Sequence, residues 1–298
     1  MRPTPIFDTN IFGHVQDGSI SPRDWQYLFR RRPARGWPLS AVTALELLAG
    51  LHDIPCEKFF QLREQIELAY KVSNGRILEE PRFLLCREVL HVPFPLDVIP
   101  PSARVLARYM DVLRRAKSRA EILQRHVPYK GRRVGLQATS VLADLVAGPK
   151  RQWVQGVEAI ATSKYPRWRD LFQQSRKRLP AEMRKELEPW SVWEAQRYEL
   201  VEGMLAWLGG STEPESVAET ANRLDAVLEF TIFVARAFLT GNYSLVKHQS
   251  DVYDQFQLHY LAIDRFVVVS DDSDLSLRTS RSCQAHRIMP FGKFLQCL

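Results

Sequence analysis

The chain has 298 residues, 45% of them hydrophobic and 25% charged, with a formal net charge of +7 and a pI near 9.3. That is enough apolar material for one large core or two modest ones. The four cysteines, Cys56, Cys86, Cys283 and Cys297, form no C-x-x-C pair, which excludes a zinc knuckle and a disulfide framework and marks them as reduced thiols. Asp8 interrupts the N-terminal stretch before an apolar signal core could form, and Val227–Leu239 is broken by Glu229 and Arg236 and too short to span a bilayer. A cytoplasmic chain with no membrane partner is expected.

Residues 1 to about 51 predict strand, helix, strand, helix. The first of these helices has Ser21 as N-cap, Pro22 at N1 and Asp24 at N3, and carries Trp25, Leu28 and Phe29. The second starts near Ser40, stops at Gly50 and contains Glu46. From about 52 to 245 the β signal fades. Phe59, Leu62, Ile66 and Ala69 recur at helical spacing before a Ser73-Asn74-Gly75 stop, and further helices are predicted over 102–126, 136–147, 180–208 and 216–239. The α/β signal returns near 246, with a helix over 251–262, strands over 266–270 and 286–290, and a last short helix. The expected architecture is therefore an α/β catalytic domain built from residues 1–51 and 246–298, with a mostly parallel sheet flanked by helices, and an all-α insertion over 52–245.

Four acids fall at informative places in this plan. Asp8 ends the first strand, Glu46 lies on the helix after the second, Asp254 opens a helix and Asp272 closes a strand. In an open parallel sheet, residues beyond the strand C-termini share one crevice. Four carboxylates gathered there repel one another, and a hard divalent cation is the usual reason to keep them ionised together. Each acid also has a plainer reading, as a helix cap, a surface residue or a first-turn acid favoured by the helix dipole. Asp251 and Asp274 compete with Asp254 and Asp272 as ligands.

The basic excess points to a polyanionic partner. Arg30, Arg31, Arg32 and Arg35 form one cluster, Lys130, Arg132 and Arg133 a second, and Arg176, Lys177 and Arg178 a third; any one of them reads as a solvated face. Arg104, Arg108, Arg115 and Arg119 are more ordered, because their spacings place them in one sector of a helix that could track phosphates.

Asp8-Thr9-Asn10 after a strand, the E-L-L-A-G helix carrying Glu46, and Asp254 joined by D-x(17)-D to Asp272 within S-x-D-x-D-L together resemble the PIN-domain ribonucleases. Ile288-Met289-Pro290-x-x-x-Phe294-Leu295 is similar to that family's last strand and helix. The resemblance covers the two ends of the chain and departs from the family in the long middle, where a compact PIN domain has a short helical hairpin. It implies metal-dependent endonucleolytic cleavage of RNA, often by toxins of toxin–antitoxin pairs. Mg²⁺ or Mn²⁺ would be held by Asp8, Asp254 and Asp272, and Glu46 would complete the acidic set and orient the attacking water. Asn10 and Ser270 are hydrogen-bonding supports, and Arg104, Arg108, Arg115 and Arg119 the RNA grip. RNA, an antitoxin protein and a second copy of the chain are the expected partners. Two other classes compete. A noncatalytic PIN-like scaffold would bind RNA or protein through the insertion. A haloacid-dehalogenase-like phosphatase requires a second acid two residues after the first, where this chain has Asn10.

Overall fold

A computed structural model describes residues 3–53, 58–94, 103–118, 120–121, 126–129, 132–135, 150–159, 181–186, 191–240, 242–245 and 247–298. Its organising element is a three-stranded parallel sheet in the order β1 (Thr4–Phe7), β4 (Phe266–Val269), β5 (Ile288–Met289). The register pairs Thr4 with Phe266 and Phe7 with Val269, and Val269 in turn with Met289. Both chain ends thus form one α/β layer. Every residue of β4 is buried, as expected of a central parallel strand covered on both faces by helices. Phe7 packs edge-on against Phe12 and Phe294 and tilts against Trp37. The ladder continues past the strands through Asp8 N–H to the Val269 carbonyl at 3.0 Å and Ser270 N–H to that of Met289 at 3.1 Å. These two bonds set Asp8 and Ser270 side by side at the sheet's C-terminal edge.

The helices are α1 (Thr9–Asp17), α2 (Pro22–Arg31), α3 (Ala41–Asp53), α4 (Phe59–Ser73), α5 (Pro81–Leu85) and α6 (Ala103–Arg115), then α7 over residues 150–159, α8 (Ala181–Glu186), α9 (Ser191–Leu208), α10 (Pro214–Arg223), α11 (Asp225–Leu239), α12 (Asp251–Leu258), α13 (Ser273–Arg278) and α14 (Phe291–Gln296). Local chemistry sets many of their ends. The Ser21 hydroxyl accepts from Asp24 N–H at 3.1 Å and donates to its carboxylate at 2.8 Å, a reciprocal cap. Helix α4 stops where Asn74 and Gly75 take left-handed φ values of 51° and 71°. One hydrophobic cluster runs through the sheet, α1–α7 and α9–α14. Among the described residues, no helix is long and apolar enough to cross a membrane.

Several expectations need correction. A helix that the sequence did not announce, α1, follows β1 directly because Asp8 caps it. The second N-terminal strand reduces to one parallel bridge between Leu39 and Ile77, since Pro38 has no N–H to extend the ladder. Helix α3 runs through Gly50 to Asp53; a glycine inside a helix costs only about 1 kcal/mol, which packing can override. The insertion is not all-α: β2 (His126–Tyr129) and β3 (Arg132–Gly135) pair antiparallel, His126 opposite Gly135. The helix predicted over 102–126 ends at Arg115, and that over 216–239 divides at Leu224, whose ψ of 14° leaves the helical region. The stretch 180–208 yields α8 and α9, and the last turn of 251–262 tightens into a 3₁₀ segment, His259–Ala262. The helix predicted over 136–147, Cys56 and the cluster at 176–178 lie outside the described residues.

Candidate functional site

The C-terminal edge of the sheet gathers side chains from five elements around Asp8, which is only 4% exposed. Asp8 Oδ1 accepts from Thr9 N–H at 2.6 Å and from Gln257 Nε2 at 3.2 Å, while Oδ2 accepts from the Ser270 hydroxyl at 2.6 Å. All three partners donate, so together they hold the carboxylate in one orientation and favour its charged form. Ser270 Oγ also accepts from Asn10 Nδ2 at 3.0 Å and from Asp272 N–H at 3.1 Å, which ties β1, α1 and the start of α13 together. The Thr9 hydroxyl donates to Glu46 Oε2 at 2.6 Å, joining α3 to the same network. Helix α3 is itself fixed by Ser40, which accepts from Thr43 N–H, and by the Thr43 hydroxyl, which donates to the Phe7 carbonyl at 2.7 Å.

The acids act on one another's charge. Burial raises the Asp8 carboxyl above its ordinary range, its hydrogen bonds pull it back, and the charge of Asp272 adds to the rise. Glu46 is pushed up to about 8, first by burial and then by Asp8, with the Thr9 bond and Lys150 opposing. Asp254 is raised well above the carboxylate range by burial and then by Asp8, Glu46, Asp251 and Asp272. The four acids expected at this edge therefore share one electrostatic environment. Among the described residues, however, no three histidine, cysteine, aspartate or glutamate side chains stand close enough to hold an ion as they lie. The donor set, oxygen throughout, suits a hard dication, whereas its spacing is looser than a coordination shell.

The competing acids are engaged elsewhere. Asp251, buried at the start of α12, pairs with Arg278 and accepts from the Tyr243 hydroxyl. Asp274 is two-thirds exposed and lies 3.6 Å from Arg278. Asp271 accepts from Phe291 N–H at 2.8 Å and faces His14 at 3.4 Å. Asp272 caps α13 by accepting from Asp274 N–H at 2.7 Å and remains partly exposed. Capping thus coexists with a place at this edge for both Asp8 and Asp272.

Three participants escaped the sequence reading. Thr9 follows Asp8 directly and bridges it to Glu46. Gln257 lies three residues after Asp254 and so shares its face of α12, a spacing that could have flagged it; it is 1% exposed and its Oε1 has no hydrogen-bond donor among the described residues. Asn10 Oδ1 is likewise buried and without a donor. Lys150, at the start of α7, brings a positive charge from the insertion toward Glu46, with no local sequence signal to mark it.

The arginine stripe is shorter than the spacing implied. Arg104 and Arg108 are exposed on α6, opposite its buried Leu106, Tyr109, Met110 and Leu113, but Arg115 is paired with Asp111 at 3.1 Å. Helix α6 ends at Arg115, and Arg119 lies outside the described residues. Scans against protein-family models, curated proteins and solved structures each find no match.

Proposed function

We propose that this chain is a metal-dependent endoribonuclease of the PIN type that hydrolyses RNA phosphodiester bonds at Asp8, Glu46, Asp254 and Asp272. The observation that carries the reading is the meeting of these acids at the C-terminal edge of a parallel sheet, where their charges act on one another. Evolution has little reason to bury such repulsion unless a cation relieves it. Asp8, Asp254 and Asp272 would hold Mg²⁺ or Mn²⁺, and the donor-free Gln257 and Asn10 amide oxygens add to an oxygen-rich surround. The bound ion supplies charge neutralisation at the phosphate and a more acidic water. Glu46, oriented by Thr9 and ionised once a bound cation's charge draws its carboxyl down from about 8, would accept the proton of the attacking water. Ser270, Thr9 and Gln257 keep Asp8 from turning, and the Lys150 ammonium offsets charge as the phosphate enters. Arg104 and Arg108 grip the RNA strand. A toxin role, with an antitoxin protein or a second copy of the chain as partner, follows the same reading.

A second reading, a noncatalytic PIN-like scaffold, draws on the looseness of the acidic set and on Asp8 being already served by three donors. Mn²⁺ titration followed by thermal unfolding separates the two, because a ligand that binds only the folded state raises its stability with concentration. The nuclease reading expects a rise in Tm that Asp8→Asn and Asp272→Asn abolish, together with loss of Mn²⁺-dependent cleavage of a labelled RNA. Parental cleavage rates in both variants would overturn it.

A further inference from the structure

A cleft of about 640 Å³ opens at the other end of the sheet, where β1 and β4 begin. Four of its lining residues, Arg31, Arg35, Arg76 and Arg265, carry guanidinium groups, and none of its lining side chains is a carboxylate. Arg265 is paired with Glu88 at 2.7 Å and stacks over Phe266. Arg31, Arg35 and Arg76 have no carboxylate within ion-pair range among the described residues, and all three are exposed. Their convergence raises the local positive potential.

The cationic rim is also held in place. Arg76 NH1 donates to the Arg35 and Gly36 carbonyls at 3.3 and 3.2 Å, so its side chain braces the turn that carries Arg35. Arg31 lies over the Tyr27 ring at 5.3 Å. Gly36 has φ of 72°, and a Cβ there would meet backbone atoms of Val72 and Ser73 at 2.7 Å, so the turn fits against the end of α4 in one way. The planar guanidinium forks of Arg31 and Arg76, each steadied by such a contact, match phosphate oxygens. The volume falls within the ordinary ligand-pocket range of about 300–1,000 Å³, larger than one phosphate needs. Exposure of all the arginines leaves the cleft open-sided, which suits a strand that continues past it better than an enclosed small ligand.

We infer that this cleft binds backbone phosphates of the RNA strand at a distance from the acidic edge. The inference rests on the RNA reading above. The length of β1 separates the two places, about 13 Å for four residues, so only an RNA longer than the bonds being cut can occupy both.

The test measures binding in EDTA, where no cleavage occurs, with fluorescent single-stranded RNAs of 4 and 16 nucleotides. The variants are Arg31→Gln/Arg35→Gln, which spares the bracing Arg76, and the triple variant with Arg76→Gln; thermal unfolding checks that each is folded. The 16-mer is expected to bind the double variant at least tenfold more weakly, with a salt slope reduced by about 1.4, since each single-strand phosphate contact contributes about 0.7. The 4-mer affinity is expected to change less than twofold. Unchanged 16-mer affinity and slope in both variants would overturn the inference while leaving the metal-dependent cleavage test untouched. Inorganic pyrophosphate stabilising the parent but not the variants, with 16-mer binding unaltered, would also overturn it, in favour of a free-phosphate site.

Discussion

The Ser270 hydroxyl donates to Asp8 Oδ2 at 2.6 Å and so joins two residues 262 positions apart, at the ends of adjacent parallel strands. Ser270 Oγ also accepts from Asn10 and from Asp272 N–H, so one oxygen fixes three parts of the candidate site. Ser270→Ala removes all three bonds and leaves buried polar groups without a partner, which costs about 1–3 kcal/mol for each such group. Chemical denaturation should show a loss of at least 1 kcal/mol, and RNA cleavage should fall with it. An unchanged unfolding midpoint would mean that water replaces the hydroxyl at no cost.

The Asp251–Arg278 pair is the second brace. Both residues are buried, at 6% and 8% exposure, and they tie α12, which carries Asp254, to α13, which Asp272 caps. Removing one partner strands a buried charge, at a cost of about 3–5 kcal/mol. Arg278→Met should therefore be severely destabilised. The double change Asp251→Leu/Arg278→Met should recover part of the loss, because no charge is then left unpaired. Equal stability of the single and double variants would show that the ion pair is not the relevant contact.

Metal-free stability should fall as pH rises from about 6.5 to 8. Glu46 in the folded chain keeps its proton up to about 8, against an ordinary 4.5. Across that interval the folded state binds more protons than the unfolded state, which lowers stability with rising pH. Asp8 and Asp254, also raised, act in the same direction. Buried His259, held down to about 4 from 6.5, works the other way, its contribution being lost as pH falls from 6.5 toward 4. The interval above 6.5 thus isolates the acids. Calorimetry of Glu46→Gln should give a flatter profile there than the parent; parallel profiles would place the titration elsewhere.

On α6, Arg104 and Arg108 should matter more for RNA than Arg115, whose charge is already engaged by Asp111. Arg104→Gln/Arg108→Gln is expected to weaken single-stranded RNA binding and reduce its salt slope by about 1.4. Arg115→Gln should change the slope by less than half that amount. Equal effects from all three would show that the Asp111 pair opens at no cost.

Much of the local structure was legible because it depends on neighbours in the chain. The Ser21–Asp24 cap, the Asn74-Gly75 stop and the β-branched run Phe266–Val269 each obey a rule of backbone geometry that needs no tertiary information. Asp8 and Asp272 could be placed at element ends for the same reason. Local rules failed where packing or long-range pairing outweighed them: a helix continued through Gly50, an expected strand at Pro38 shrank to one bridge, and a hairpin formed within the helical middle. The sequence preferred Asp254 on its spacing to Asp272 but kept Asp251, three residues away on the same helix, as a competitor. The tertiary structure adds Arg278 and Tyr243 beside Asp251, and only long-range packing brings Ser270, through the pairing of β1 with β4, and Gln257 on α12 to Asp8. Such contacts are selected by the shape of the whole core, a free energy summed over side chains hundreds of positions apart, and no window of sequence contains it.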